Sequence, residues 1–390
     1  MNRATAVELF AGCGGLSTGL LDAGYDVRLG VDNNAPSLVA YDYNHAYRGS
    51  KSLLRDVSAL RGPELLEAAG VDSIDVLSGG PPCQPFSIAG KRLGLDDPRG
   101  HLIAEFVRIV DEVRPKAVVF ENVPALQTSH NGDVVRATTD ALEQLGYGVR
   151  RAILNAADWG VPQARKRLIL IAVRDVAEFS FPPKPTHSGD PSGSLRPYRT
   201  ASDALWDLPD VNTDAAREIP NHEPTAHSPA MLKAFAGLEP GKREPKSRHD
   251  RLHPDRPGYT LRAGSGNFSP MRPIHYEFDR VISVRESARL QGFSDDFIWP
   301  DSLSRLQQYR QVGNAVPPAL GEVVGRHVAS ILGFDLDADS AAGDPASRPN
   351  PFNFTHEERA ARRARYHRGG ASFGSANGAS DSSEVVASIV

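Results

Sequence analysis

Cysteine is scarce in this chain, which has only Cys13 and Cys83 among its 390 residues. Two isolated cysteines cannot form a disulfide framework, and with the histidines scattered they also disfavour a zinc site. No apolar run approaches the roughly 20 residues needed to cross a bilayer. The first residues lack the apolar core of a signal peptide. We therefore expect a cytoplasmic protein.

An excess of positive charge is also missing, because 44 Lys and Arg residues stand against 48 Asp and Glu residues, for a net charge of −4. The chain is not a polycation, so any surface for nucleic acid must be local. The densest basic patch comprises Lys242, Arg243, Lys246, Arg248, Arg251 and Arg256.

The first half of the chain alternates strand and helix signals. Buried-strand patterns occur at 7–10, 27–31, 74–77, 117–120 and 167–173. Helical patterns occur at 35–44 and 104–113, and Asp133 is placed to cap another helix that runs to Leu145. This alternation predicts an α/β fold with a parallel sheet.

The character of the sequence changes after about residue 185. Residues 186–285 are rich in Pro, Gly, His and Arg, and we interpret them as a smaller, loop-rich domain. Residues 286–302 then form a hinge, and 303–334, with a helix at 318–332, complete the first domain at 1–185. Residues 335–390 are predicted to be disordered, apart from a possible short basic helix at 359–368.

The segment Gly79–Ser87 places Cys83 among three prolines directly after a predicted strand. Proline fixes φ near about −65°, so this thiol lies on a stiff loop. In open α/β sheets, ligands bind at the carboxyl ends of the strands. The leading interpretation is a nucleophilic thiol on a preorganised loop.

A glycine-rich turn, Phe10–Ser17, follows the first strand, and Asp32 ends the second. Ser17 breaks the dinucleotide fingerprint, while Asp32 stands where such folds bind ribose hydroxyls and Asp56 is a candidate for an adenine amino group. Each acid alone is more typical of a surface or capping residue. Together they indicate an adenosine-containing cofactor that has no pyrophosphate.

Charged residues also follow later strands. Glu121 ends the strand at 117–120 and can face the same crevice as Cys83. Strand alternation puts Arg165 and Arg167 on one face and Lys166 on the other. Two guanidiniums on one face can hold oxygen atoms in a fixed fork, although a solvated basic edge is the alternative. Asn314, in what reads as a polar turn before the last helix, is a further candidate for a ligand contact.

In this order the motifs resemble those of the DNA (cytosine-5)-methyltransferases. The matching segments are Phe-Ala-Gly-x-Gly-Gly, Pro-Cys-Gln, Glu-Asn-Val, Gln-x-Arg-x-Arg, Arg-Leu-Gln-Gly-Phe and Gly-Asn-Ala-Val-Pro, spread over roughly residues 5–330. The resemblance implies a Rossmann-like, S-adenosylmethionine-dependent methyltransferase domain with a mixed, mostly parallel sheet, and a smaller target-recognition domain. It departs from the family at Asp32, where Glu is commoner, and at Ser294, where Pro is usual.

The resemblance also implies roles for single residues. Cys83 would attack C6 of a cytosine turned out of double-stranded DNA, Glu121 would bind its N3, Arg165 would contact the base, and Arg167 would support the site or a phosphate. The implied cofactor contacts are Phe10, Gly12, Gly14, Asp32, Asp56, Pro82, Leu102 and Asn314. The implied DNA contacts are Gln84, Ser87, Lys91 and Arg92 near the cysteine, and Lys242, Arg243, Lys246, Arg248 and Arg251 in the recognition domain.

Three rival readings remain open at the level of the sequence. A related enzyme that methylates tRNA shares these motifs, but its branch carries a second cysteine segment that this chain lacks. A catalytically silent DNA-binding homologue would have lost part of the intact set of Cys83, Glu121 and Arg165. A nicotinamide-dependent oxidoreductase conflicts with Ser17. We expect a monomer, and a restriction endonuclease acting separately is a further expected partner.

Overall fold

A seven-stranded mixed sheet forms the centre of the molecule in the computed structural model, which describes residues 3–82, 100–128, 132–190, 192–263 and 272–336. The strands of this sheet, in chain order, are β1 (Thr5–Leu9), β2 (Asp26–Asp32), β3 (Lys51–Leu54), β4 (Val76–Gly79), β5 (Ala117–Asn122), β6 (Tyr147–Asn155) and β8 (Lys166–Arg174). The two-residue strand β7 (Gln163–Ala164) lies outside this sheet. The order across the sheet is β3-β2-β1-β4-β5-β8-β6. The first five strands pair in parallel, whereas β8 runs antiparallel to both β5 and β6.

Helices cover both faces of this sheet. They are α1 (Gly15–Ala23), α2 (Ala35–His45), α3 (Gly62–Ala69), α4 (His101–Val113), α5 (Asp133–Gln144) and, much later in the chain, the helix Pro318–Leu332. Alternation along β1 sends Val7 and Leu9 into the core with α3 to α5, and Ala6 into the opposite core with α1 and the last helix. With apolar layers on both faces, the strands can be almost continuously hydrophobic.

The region that follows the sheet consists mostly of short elements and ends with the 15-residue helix that packs on the sheet. They are β9 (His187–Ser188), β10 (Arg196–Pro197), α6 (Ala201–Leu205), α7 (Asp214–Arg217), α8 (Pro229–Ala236), β11 (Gly258–Tyr259), α9 (Val284–Gln291), α10 (Arg305–Asn314) and α11 (Pro318–Leu332). This region shares a core with the sheet domain, because Leu252 and Trp299 belong to the same buried cluster as Cys13 and Ala40. β11 pairs with β7, which ties the loop-rich region to the beginning of β8.

The predicted strands and the final helix lie where the sequence indicated, and α11 has the predicted bounds. Two local predictions were wrong. Gly132, with φ at 77°, precedes α5 as its N-cap, and Asp133 is the first helical residue. Gln311–Asn314 is not a turn but the last turn of α10, whose buried face includes Gln308 and Gln311 and therefore lacks an apolar signature. The predicted tail lies outside the described residues except for its first two positions. None of the helices in the described ranges is both long and apolar enough to span a membrane.

Candidate active site

The glycine-rich loop between β1 and α1 lies at the carboxyl edge of the sheet. Gly12 and Gly14 have φ values of 57° and 87°, which favour glycine. A Cβ on Gly14 would lie 2.4 Å from Cε1 of His45, so a side chain cannot fit there. A Cβ on Gly12 would meet no described atom within 4 Å. The loop therefore packs against α2 at Gly14 and opens toward free space at Gly12.

Asp32, at the end of β2, holds this loop in place. Its Oδ2 accepts a hydrogen bond of 2.8 Å from the N–H of Gly12, and its Oδ1 accepts one of 2.8 Å from the N–H of Asn34. Burial raises the pKa of Asp32, and these backbone donors oppose that effect. Asn34 in turn caps α2 by accepting from the N–H of Ser37. Each carboxylate oxygen keeps acceptor capacity for a hydroxyl donor.

The ends of β3 and α4 border the same edge. Asp56 is exposed and accepts a 2.8 Å bond from the N–H of Ser58, a bond that lowers the pKa of Asp56. Nε2 of His101, at the start of α4, lies 3.4 Å from the Ser58 hydroxyl, and the next residue, Leu102, is half-buried. Leu54 pairs in register with Asp32 and is 57% exposed, an apolar surface that the sequence did not single out.

Glu121 and Arg167 form an ion pair where β5 and β8 run side by side. The Arg167 Nε lies 2.8 Å from Glu121 Oε1, and the two side chains are 11% and 12% exposed. Burial raises the pKa of Glu121, while the positive charges of Arg167 and Arg165 oppose the rise. Burial also lowers the pKa of Arg167, against the effect of Glu121. A carboxyl whose neutral form is favoured in this way suits a proton donor.

The residues that lead from β4 to Cys83 lie against this pair. A Cβ on Gly80 would be 2.9 Å from Glu121 Oε2, so glycine permits the close approach. The amide of Asn122 donates a 2.8 Å bond to the carbonyl of Pro81, two residues before Cys83 in the chain. Pro82 is exposed. Cys83 itself, with Gln84, Ser87, Lys91 and Arg92, lies outside the described residues.

Arg165 occupies a different environment from Arg167. Both are buried and Lys166 is exposed, as the predicted alternation requires. The Arg165 guanidinium is completely buried and donates to the carbonyls of Leu261, Gly313 and Ala315 at 2.9, 2.8 and 3.1 Å. Arg167, rather than Arg165, is thus the arginine that pairs with Glu121. Asn314, expected to contact the cofactor, is exposed in the segment that Arg165 holds.

The basic patch of the loop-rich region divides into exposed and buried residues. Lys242, Lys246 and Arg248 are exposed. Arg243 is also exposed but forms a two-bond ion pair with Asp250, with both N···O distances at 2.7 Å. The structure corrects the expectation that Arg251 contacts DNA. That side chain is buried, where it donates to the carbonyls of Phe235, Leu238, Tyr276 and Glu277 and pairs with Asp279.

Sequence reasoning also missed a buried acid beside the glycine-rich loop. Glu8, on β1, is only 4% exposed and accepts hydrogen bonds from both the N–H and the hydroxyl of Ser17 in α1. Ser17 also contacts the hydroxyl of Tyr41, so three elements meet at this point. Burial raises the pKa of Glu8 to about 8. An acid inside an apolar strand pattern, Val7-Glu8-Leu9, was the signal that could have identified it.

The sheet order, the glycine-rich loop and the acid after β2 define the class of S-adenosylmethionine-dependent methyltransferases. The family model for the C-5 cytosine-specific DNA methylases matches residues 4–330, and the chain belongs to this family. Its relatives include the type II methyltransferase M1.HphI of Haemophilus parahaemolyticus, which is 37% identical over 339 residues, covering 83% of this chain and 86% of the relative. The type II methyltransferase M.XorII of Xanthomonas oryzae pv. oryzae is 35% identical over 370 residues, covering 85% and 86%.

Solved structures agree with this assignment. A putative DNA modification methyltransferase encoded within an E. coli prophage has a TM-score of 0.69 and 27% identity, covering 85% of this chain and 99% of its own. The Dnmt2 methyltransferase of S. pombe, at 20% identity and a TM-score of 0.64, covers 85% of this chain and 100% of its own, and shares the fold. The chain is therefore a DNA cytosine-5-methyltransferase of the type II restriction-modification class. The predicted family, fold class, activity and cofactor are confirmed.

Proposed function

We propose that this enzyme methylates one cytosine within a specific short duplex sequence, through a covalent bond between Cys83 and C6 of a base that is turned out of the helix. The observation that supports this most directly is the contact between the Glu121–Arg167 pair and the Gly80–Pro82 segment, which leads into Cys83. The segment that leads toward the proposed nucleophile and the proposed proton donor thus lie at the same edge of the sheet. The target carbon is inaccessible inside a duplex, and turning the base out costs a few kcal/mol.

In the proposed reaction the thiolate of Cys83 adds to C6, and Glu121 provides a proton at N3 so that negative charge does not accumulate on the ring. The C5 position, now electron-rich, would take the methyl group from the sulfonium of S-adenosylmethionine, which would leave as S-adenosylhomocysteine. Loss of the C5 proton to a base, departure of the thiolate and return of the N3 proton to Glu121 would then restore the aromatic ring, the cysteine and the proton donor. A thiol of ordinary pKa is only a few per cent ionised at neutral pH, but it is intrinsically very nucleophilic.

Arg167 is the better candidate for the base contact that the resemblance assigned to Arg165. Its guanidinium is already fixed beside the Glu121 carboxyl, where an entering pyrimidine would present N3 and the neighbouring oxygen. Arg167 also donates to the carbonyl of Lys166, which fixes its orientation. A guanidinium can donate to the base oxygen and to a carboxylate together because its donors form a planar fork.

The residues at the edge fit S-adenosylmethionine, whose sulfonium supplies an electrophilic methyl group. Phe10, Gly12 and Gly14 would border it on the loop, where Gly12 faces open space. Asp32 would accept from the ribose hydroxyls, and Asp56 from the adenine amino group. Leu54 and Leu102 would contribute apolar surface, and Pro82 and Asn314 would border the methionine side.

For DNA recognition, we propose that the exposed Lys242, Lys246 and Arg248 contact phosphates or base edges, with Arg243 available at the cost of its pair with Asp250. The residues of the cysteine loop named above would add contacts at the target. Residues 186–285 would act as the target-recognition domain and 286–302 as its hinge. We further propose that the enzyme acts in the cytoplasm as a monomer, beside a cognate endonuclease.

The test is to map 5-methylcytosine in DNA from cells that express the wild-type protein. Methylation at one short sequence is expected, and cells with Cys83→Ser should show none, while Cys13→Ser should retain the pattern because its thiol is buried and far from the cysteine loop in the chain. Methylation of tRNA instead of DNA would favour the RNA alternative. DNA binding without any methylation would favour a silent homologue.

A further inference from the structure

Three completely buried polar side chains join the DNA-facing region to the cofactor side of the site. Gln163, Arg165 and Gln291 are each 0% exposed. Together with the backbone of Leu261 and of Gly313–Ala315 they form a set that we name the buried joint. Buried polar groups are stable only when they are bonded to one another or to the backbone. Here most of their partners belong to the joint itself or to two segments, one inside the proposed target-recognition domain and one that contains Asn314, a proposed cofactor contact.

The first segment, around Leu261, lies within the proposed target-recognition domain. The N–H of Leu261 donates to Gln163 Oε1 at 3.1 Å, and its carbonyl accepts a hydrogen bond of 2.9 Å from the Arg165 guanidinium. Both backbone groups of this one residue are therefore fixed by the joint. The same segment carries β11, which pairs with β7 at Gln163 itself.

The second segment, Gly313–Ala315, contains Asn314, the proposed cofactor contact. Arg165 donates to the carbonyls of Gly313 and Ala315, and Gln291 donates to the carbonyl of Ala315. Gln291 is held in turn by Gln163, with 2.7 Å between Nε2 and Oε1. This segment packs against the glycine-rich loop, because a Cβ on Gly15 would lie 2.3 Å from the carbonyl oxygen of Val316.

We propose that Arg165 is a positioning residue that fixes the Leu261 segment and the Asn314 segment relative to each other, and that it does not touch the target base. The inference rests on the proposed function, since it assigns DNA to one segment and the cofactor to the other. Only a guanidinium has donors spread widely enough to bond carbonyls on both sides at once. A buried charge without such partners would be strongly destabilising, and the carbonyls of Leu261, Gly313, Asn314 and Ala315 all accept from it.

The chain offers a matched control for this role. Arg285 is also 0% exposed and donates to three carbonyls, those of Pro220, Ser294 and Phe297, at 3.1, 3.2 and 3.0 Å. None of these three described carbonyls belongs to the segments of the joint. Arg285→Lys should therefore disturb stability in the same way as Arg165→Lys without moving the two functional segments.

The experiment measures two affinities that require no turnover: S-adenosylhomocysteine by calorimetry, and a duplex with the mapped target by fluorescence anisotropy. Arg165→Lys should weaken both by about five- to tenfold, or roughly 1 to 1.4 kcal/mol, which is within the net contribution of one ordinary hydrogen bond because lysine keeps the charge and part of the contacts. Arg285→Lys should leave both affinities at the wild-type values. The turnover rate at saturation of both ligands should fall less than the affinities do.

Two results would overturn the inference. One is a loss of turnover in Arg165→Lys with both affinities intact, which would place the guanidinium at the reacting base. The other is an equal loss of affinity in Arg165→Lys and Arg285→Lys, which would show that Arg165 contributes only to the general stability of the fold. Gln291→Met loosens the joint from the Ala315 side and should reproduce the paired loss of affinity, so the test does not depend on one variant folding. Wild-type enzyme that binds no S-adenosylhomocysteine would refute the proposed function instead.

Discussion

Glu8 should make the stability of this enzyme fall as the pH rises from 5 to 8. Its pKa is raised from 4.5 to about 8, chiefly by burial, with smaller contributions from the nearby carboxyls of Asp32 and Glu121. Between these two values the folded protein keeps the proton and the unfolded chain releases it. The stabilisation is therefore fully present below about pH 4.5 and is lost progressively as the pH approaches 8.

The magnitude follows from the gap between the two pKa values. One pKa unit corresponds to about 1.4 kcal/mol, so the wild-type protein should lose about 2 to 3 kcal/mol of unfolding free energy between pH 5 and pH 7 through this one residue. Glu8→Gln removes the titration and keeps the shape, and its side-chain oxygen can still accept from the N–H and hydroxyl of Ser17. Other groups titrate equally in both proteins, so they cancel in the difference.

Urea unfolding followed by circular dichroism at pH 5, 6, 7 and 8 measures this difference. The unfolding free energy of Glu8→Gln should increase steadily relative to that of the wild-type protein as the pH increases. Glu143→Gln, at an exposed position on α5, should follow the wild-type protein at every pH. A constant difference between Glu8→Gln and the wild-type protein across this range would show that Glu8 ionises normally, and the reasoning would be wrong.

Three further predictions concern single sites. Glu121→Gln should slow methyl transfer by at least about a hundredfold, the usual contribution of a positioned proton donor, while S-adenosylhomocysteine still binds in calorimetry; normal turnover would remove Glu121 from the mechanism. Gly12→Ala should weaken S-adenosylhomocysteine binding and lower the free energy of unfolding by only about 1 to 2 kcal/mol, because of its positive φ. Gly14→Ala should weaken binding too but also lower the melting temperature strongly, because its Cβ would collide with the imidazole of His45. Equal melting temperatures for the two variants would contradict this prediction. Arg248→Ala should flatten the salt dependence of DNA binding, and Arg251→Ala should lower the melting temperature because it removes buried hydrogen bonds; a flatter salt slope for Arg251→Ala at unchanged stability would reinstate Arg251 as a DNA contact.

The sequence predicted β1, β2, β4, β5, β8 and α11 because their residues are mostly apolar. It did not predict β3 or the nine-residue β6, in which Arg150 and Arg151 interrupt the apolar pattern. It did not predict α10, because the buried face of that helix carries Gln308 and Gln311 beside Tyr309 and Val312 and so lacks a continuous apolar pattern. The positions of Glu121 and Asp32 at one edge of the sheet could be predicted, since both follow strands and the carboxyl ends of parallel strands meet at one edge. The contact of Glu121 with Arg167 and that of Asp32 with Gly12 could be identified only from the three-dimensional structure.

The features that the sequence did not predict depend on hydrogen bonds between residues that are far apart in the chain. Alternation placed Arg165 and Arg167 on the same face but did not distinguish them, because the carbonyls that bind Arg165 come from residues 96 to 150 positions later in the chain. Arg251 belongs to a basic run typical of a DNA-binding surface, yet the carbonyls around it come from segments before and after it. A local sequence pattern does not indicate which distant carbonyls will surround a side chain.

The covalent bond to Cys83 is the central claim, and trapping it is the most direct test. A duplex with 5-fluorocytosine at the mapped target stops the reaction after methylation, because the fluorine that replaces the C5 proton cannot leave as a cation. Mass spectrometry should then find one duplex attached to the protein through the peptide that contains Cys83, and Cys83→Ser should form no adduct. No adduct from folded enzyme that methylates the unmodified duplex, or an adduct at Cys13, would contradict the account.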